Sequence, residues 1–112
     1  AAMAERVDPC YETLQLTWLD ADEHALEVSL ARPRKRNAMN RAMWRELREC
    51  FGAHLPCHPT LRVVLLTGGE GPSFCAGLDI TDSYIEEGDD AARTALRVRR
   101  SVQEMQASFD AM

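Results

Sequence analysis

Val63-Val64-Leu65-Leu66 runs straight into Thr67-Gly68-Gly69-Glu70-Gly71-Pro72-Ser73-Phe74-Cys75-Ala76-Gly77-Leu78-Asp79. The unbroken apolar tetrad reads as a strand. Its lack of polar alternation predicts burial on both faces, the habit of a parallel strand reached by a helical crossover. The strand empties into a loop holding Gly68, Gly69, Gly71 and Pro72, and the chain re-forms around Ala76 to Asp79. Glycine has no Cβ and tolerates positive φ, so a backbone N–H beside it can approach a ligand closely. Such an N–H can donate to a developing oxyanion. Gly-rich loops after strands are also ordinary turns, so this loop alone does not decide the chemistry.

Upstream of it the hydropathy pattern changes period. Thr13–Leu19 alternates Leu14, Leu16 and Trp18 with polar partners, and Leu26–Ala31 alternates Leu26, Val28 and Leu30. Both read as strands, joined as a hairpin by the polar turn Asp20-Ala21-Asp22-Glu23-His24. Pro33 ends the second, since it cannot donate to a ladder. From Asn40, a good N-cap residue, Met43, Trp44, Leu47, Cys50, Phe51 and Leu55 recur at three- and four-residue steps. The spacing predicts a helix over 40–55 that packs on a sheet, closed by Pro56 and Pro59. Arg62–Thr67 is the third strand. Ile80 to Glu87 reads as a short helix and a loop. Asp89 and Asp90 then sit where carboxylates favour a helix N-terminus. A helix over 90–112 follows, with Ala92, Leu96, Val102, Met105, Phe109 and Met112 on one face. Arg93, Arg97, Arg99 and Arg100 mostly fall off that face and read as solvated surface.

Composition narrows the class. The chain has 112 residues, 46% of them hydrophobic, with a net charge of −5. That suits a globular domain rather than a disordered tail and argues against nucleic-acid binding. No run reaches the ~18 apolar residues of a membrane span. The four cysteines form no Cys-x-x-Cys pair, and no His spacing suggests zinc, so reduced thiols and no metal site are expected. Cys75 lies in the loop, but no His in its segment would activate it as a nucleophile. Ala1-Ala2-Met3-Ala4 lacks an apolar signal-peptide core. Residues 1–12 read as an N-terminal extension, in part a cloning scar. The last stretch still reads as helix at Met112, with no stop signal. Residues 13–112 are therefore expected to be the front part of something longer.

A second motif gives the loop its context. Leu30-Ala31-Arg32-Pro33-Arg34-Lys35-Arg36-Asn37-Ala38-Met39-Asn40 carries an Arg-Pro pair, a basic turn and Asn-Ala-Met-Asn at the head of the first helix. Followed by the strand, Thr-Gly-Gly and Phe-Cys-Ala-Gly-Leu-Asp, this order and spacing resembles the first half of the crotonase superfamily, the enoyl-CoA hydratases and isomerases. The resemblance runs from about Leu14 to the end of the chain. It implies an α/β fold of crotonase type, built from ββα spiral repeats, of which this is the N-terminal portion only. Within the superfamily the chain looks most like the Δ3,5-Δ2,4-dienoyl-CoA isomerases. Lys-Arg-Asn-Ala-Met-Asn before Trp-Arg-Glu-Leu, and Gly-Leu-Asp-Ile-Thr-Asp before Gly-Asp-Asp-Ala-Ala-Arg, carry that likeness.

What the resemblance implies can be placed residue by residue. The residue after the glycine of the Ala-Gly-x-Asp motif, here Leu78, gives a backbone N–H to an oxyanion hole. Ala76, Gly77, Leu78, Asp79 and Ile80, with Arg36, Asn37 and Ala38 of the Arg-Pro-x-x-x-Asn-Ala turn, take acyl-CoA contact positions. Arg34, Lys35 or Arg36 either pair with CoA phosphates or form a solvated turn. Asp79 orders the turn or caps a helix. The family's second oxyanion donor and its proton-moving acids have no counterpart before Met112. The implied activity is a shift of double bonds in a dienoyl-CoA thioester during fatty-acid β-oxidation. The alternatives are enoyl-CoA hydratase or Δ3-Δ2-enoyl-CoA isomerase chemistry, or a non-catalytic acyl-CoA-binding protein. No cofactor is expected beyond the coenzyme A of the substrate. The family also implies a homotrimer or hexamer and a mitochondrial or peroxisomal-type matrix.

Overall fold

The computed structural model describes residues 10–82 and 88–112. Strands β1 (Leu14–Trp18) and β2 (Ala25–Leu30) form the expected antiparallel hairpin, with Leu14 opposite Leu30 and Trp18 opposite Leu26. The turn between them is held by Asp20, whose Oδ1 accepts the His24 and Ala25 N–H groups at 2.9 and 3.0 Å. The chain then crosses through helix α1 (Arg41–Glu49) and returns as β3 (Val63–Thr67), parallel to β2. The sheet order is β1-β2-β3. Helix α2 (Ala91–Asp110) closes the described chain. Part of the stretch read as a short helix and loop, 83–87, and most of the 1–12 extension lie outside the described residues.

Both helix caps follow the sequence. Asn40 Oδ1 accepts the Met43 N–H at 2.9 Å, and Asp90 Oδ1 accepts the Arg93 N–H at 2.8 Å. Each satisfies a donor the first helical turn leaves open. The first helix is not uniform to residue 55, however. Regular α geometry ends at Glu49, the chain winds wider over Cys50–His54, and it tightens to a 3₁₀ turn over Leu55–Cys57. Pro56 explains the change. It lacks an N–H, and its ring would meet the carbonyl four residues back, at Gly52.

The core lies between the sheet and α1: Leu14, Leu16, Leu26, Val28, Leu30, Met39, Met43, Leu47, Cys50 and Leu55 are buried. Trp44 and Phe51 pack against it half-buried. One apolar surface predicted to be covered is not, and a second also lies open. Val63 is 57% and Leu65 52% exposed, so β3 is buried on one face only among the described residues. Helix α2 touches α1 near its C-terminal end, where Ser108 Oγ donates to Trp44 O at 2.7 Å and Trp44 meets Phe109 edge-to-face at 5.2 Å. Leu96, Val102, Phe109 and Met112 remain exposed. The apolar stripe of α2 thus exists, but this chain covers little of it.

Candidate functional site

The two motifs come together. The turn at 32–39 and the loop at 68–79 lie side by side, joined by a short parallel ladder. Ala76 N–H donates to Arg36 O at 3.0 Å, Met39 N–H to Gly77 O at 2.7 Å, and Asp79 N–H to Met39 O at 3.0 Å. Met39 and Leu78 are the bridge partners. In a parallel pair one residue supplies both bonds to the neighbours of its partner. Here Met39 does so, and Leu78's own N–H and C=O point to the other side. Among the described residues no acceptor meets the Leu78 N–H. Gly77, immediately before it, has φ +99°, a conformation L-residues rarely adopt. A Cβ at Gly77 would meet nothing within 4 Å. The glycine is therefore required by backbone angle, and the space beside it is open.

Asn37 holds the arrangement from beneath. It is 1% exposed. Its Oδ1 accepts the Arg32 N–H at 2.9 Å, and its Nδ2 lies 2.8 Å from Gly68 O, 3.2 Å from Ser73 O and 3.0 Å from Phe74 O. An amide nitrogen has two hydrogens, so three carbonyls share them. Asn37 also sits at φ +58°, after Arg36 at φ +50°. Asparagine tolerates this left-handed region better than most residues. Its side chain is wholly engaged inside the protein, as a strut for the loop. Nothing in the residue order distinguishes such a strut from a ligand contact, because the motif marks the residue and not its direction.

Asp79 orders the exit from the loop, one of the two roles expected of it. Its Oδ1 accepts the Thr81 N–H at 2.9 Å and the Thr81 hydroxyl at 2.6 Å. Its Oδ2 pairs with Arg32 Nη2 at 3.0 Å. The Thr81 hydrogen bonds, then the Arg32 guanidinium, hold the carboxyl down at about 2. Arg32 also donates through Nη1 to Ala38 O, closing the basic turn on itself. Asp79 is thus an anchored anion, not a proton carrier at neutral pH.

The remaining site residues are accessible. Arg34, Lys35 and Arg36 are exposed on the turn, Ala38 is half-buried, and Ala76, Gly77 and Leu78 are exposed, with Ile80 at 95%. Cys75 packs against the core, and its sulfur accepts the Gly77 N–H at 3.4 Å. That contact makes it part of the loop's framework. The group with metal-type donors among the described residues, Asp20, Asp22 and His24, lies at the hairpin turn, where Asp20 is already a turn acceptor. No helix of the described residues is long and apolar enough to cross a membrane.

One buried carboxylate escapes a reading by residue type. Glu46 on α1 accepts from Thr13 N–H at 2.7 Å, Thr13 Oγ at 2.9 Å and Glu12 N–H at 3.2 Å. It docks the start of β1 on the helix. Its spacing was the available signal: it stands three residues from Met43 and four from Cys50, on the apolar stripe.

Comparison with known proteins agrees with this geometry. The enoyl-CoA hydratase/isomerase family model matches residues 20–108. The chain is 43% identical over 112 residues to the mitochondrial Delta(3,5)-Delta(2,4)-dienoyl-CoA isomerase of Mus musculus, covering 96% of this chain and 33% of that protein. Among solved structures it superposes on an enoyl-CoA hydratase/carnithine racemase from Magnetospirillum magneticum with a TM-score of 0.70 and 27% identity, over 91% of this chain and 35% of the other. A protein of enoyl-CoA hydratase type from Thermobifida fusca, solved with acetoacetyl-CoA, gives a TM-score of 0.62 at 27% identity, over 87% and 37%. The chain spans about a third of the length of the curated relatives it matches.

Proposed function

The chain belongs to the enoyl-CoA hydratase/isomerase family, and from that premise we propose that it is the N-terminal part of an acyl-CoA isomerase acting on dienoyl-CoA thioesters. The observation that carries the reading is the Leu78 N–H, held by the Met39 bridge with no acceptor among the described residues. A base removes a proton from a carbon conjugated to the thioester. The electron pair delocalises onto the thioester oxygen, and the proton returns at the far carbon as the double bonds shift. Leu78 N–H, with a second backbone donor from a later segment, stabilises that oxygen. A fixed amide dipole in a dry site is worth roughly 3–4 kcal/mol here.

Other residues serve that donor. Gly77 supplies the backbone angle, and Asn37, Arg32 and Asp79 hold the loop. Arg36, Ala38, Ala76 and Ile80 line the approach of the CoA portion, and exposed Arg34, Lys35 and Arg36 meet its phosphates. The acids that move protons come from outside this chain. Coenzyme A enters as part of the substrate, and no other cofactor takes part. The mitochondrial dienoyl-CoA isomerases among its relatives support a matrix setting and a role in fatty-acid β-oxidation, and the proposal extends to a mitochondrial or peroxisomal-type matrix and a homotrimer or hexamer. The test is to give the full-length protein a 3,5-dienoyl-CoA and follow conjugation of the product by ultraviolet absorbance. Hydration of a 2-enoyl-CoA without isomerisation would make it a hydratase. Migration of an isolated 3-ene would make it a Δ3-Δ2 isomerase, and tight binding without turnover a non-catalytic acyl-CoA-binding protein.

A further inference from the structure

Two of the arginines expected to be plain solvated surface face three others across a groove. Arg41, Arg45 and Arg48 stand at three- and four-residue steps on one side of α1. Arg97 and Arg100 meet them from α2, and Glu104 is the carboxylate of the lining. The groove encloses about 510 Å³. It shares no residue with the Leu78 loop.

Three observations separate it from ordinary charged surface. The first is cost. Like charges at these helical steps repel by roughly 0.2–0.5 kcal/mol per pair, yet this chain, with 18 acidic and 13 basic residues, gathers five guanidiniums against one carboxylate. The second is contrast. Arg32 pairs with Asp79, and Arg93 with Asp89 and Asp90. In the groove, no carboxylate among the described residues forms an ion pair with Arg41, Arg45, Arg48 or Arg100. The third is fixity. The helices are pinned where Ser108 meets Trp44 and Phe109 packs on its ring, so the two rows of arginines keep their spacing. Half-buried Trp44 and Met105 form the floor.

We propose that this groove is a binding site for a ligand carrying two or more phosphoryl groups. A guanidinium fork matches phosphate oxygens two at a time, which a lysine row would not do. Four of these forks, Arg41, Arg45, Arg48 and Arg100, face the groove with no ion-pair partner among the described residues. The volume falls within the range of about 300–1,000 Å³ common for small-ligand sites. A free polyphosphate and the headgroup of a phosphorylated lipid present the same chemistry to these arginines.

The test uses full-length protein and two probes. Inorganic tripolyphosphate is titrated calorimetrically at two salt concentrations. Phosphatidylcholine vesicles with and without a bisphosphorylated phosphoinositide are tested by co-sedimentation. The variants are Arg45→Gln/Arg100→Gln and, as a control off the groove, Arg99→Gln, with circular dichroism to verify folding. The expected result is salt-sensitive binding that weakens at least about tenfold in the double variant and not in the control. Binding to tripolyphosphate assigns a soluble ligand, and binding only to phosphoinositide vesicles assigns a lipid headgroup; both support the site. No binding to either probe, equal loss in Arg99→Gln, or equally tight binding of poly-glutamate would overturn it. Turnover of dienoyl-CoA is expected to persist in the double variant, so failure here leaves the Leu78 assignment standing, and the converse holds.

Discussion

Replacing Asn37 tests whether the loop that presents the Leu78 N–H is held from below. Asn37→Ala removes one acceptor, used by Arg32 N–H, and two donor hydrogens shared among the carbonyls of Gly68, Ser73 and Phe74. At about 1 kcal/mol net for each of three hydrogen bonds, that is ~3 kcal/mol. Alanine must also adopt φ +58°, which costs roughly 1 kcal/mol more than for asparagine. The sum, about 4 kcal/mol, lies beyond the usual range of single substitutions. With a urea m-value of ~2 kcal/mol/M, the unfolding midpoint of the full-length protein should fall by about 2 M. Asn37→Asp isolates the donors, because it keeps the Oδ1 acceptor and tolerates the same φ. At neutral pH it puts a carboxylate against three carbonyl oxygens and should be at least as damaging. Its folded pKa would be raised, so the deficit relative to wild type should be smallest below about pH 4, where the carboxyl still donates one hydrogen in place of two, and grow as pH rises through that value. A midpoint shift under about 0.5 M for Asn37→Ala, with m unchanged, would refute the strut.

Three further outcomes are expected. On one dienoyl-CoA substrate, Leu78→Ala should keep most of kcat, while Leu78→Pro, which removes the N–H, should lose at least ~10²-fold. Gly77→Val should also fail, through its φ of +99° and crowding of the ligand. Equal damage from Leu78→Ala and Leu78→Pro in folded protein would put the function in the side chain instead. Glu46→Ala strips the acceptor from three donors and should cost about 3 kcal/mol or more in urea unfolding, with Glu46→Gln costing less because one oxygen remains; the reverse order would contradict the docking role. The Asp79 carboxyl, held at about 2 against 3.8 unperturbed, stabilises the fold above pH 4, and that contribution drains away as pH falls towards 2. Asp79→Asn should flatten this acid limb, and an unchanged pH–stability curve would remove Asp79 from the account.

Where the sequence was legible, the deciding interactions were local. The alternation of Leu14, Leu16 and Trp18 and of Leu26, Val28 and Leu30 needs only the pleat to become a hairpin. Asn40 and Asp90 cap the helices through bonds to Met43 and Arg93, three residues away. Most of the misses were decided at a distance. Val63 to Leu66 reads as doubly buried because nothing in four apolar residues says which face meets a partner, and here the face of Val63 and Leu65 meets none among the described residues. Ser108 fixes the α1–α2 crossing by being small and bonding to Trp44 O. A hydropathy pattern gives serine no weight, so the long stripe of α2 drew attention instead. The first helix loses its regular form at Cys50 through Pro56, a local effect that reaches further back than the simple stop its position predicts.

The site shows the same division within a single motif. Gly77 is legible as a constrained position because its backbone angle, φ +99°, excludes most other side chains. Leu78, the proposed donor, is legible only through Gly77 and Asp79 on either side, since an N–H acts for any residue except proline. Asn37 stands between these cases. Its type is constrained, by φ and by a need for both an acceptor and two donors, but those constraints face inward to Arg32, Gly68, Ser73 and Phe74. A residue so constrained looks, in a motif, the same as one that touches a ligand. Polar residues with positive φ in a motif therefore mark the loop's support as readily as its function, and burial separates the two: at 1% exposed, Asn37 belongs to the support, while Leu78, half exposed, is left open to the role proposed for its N–H.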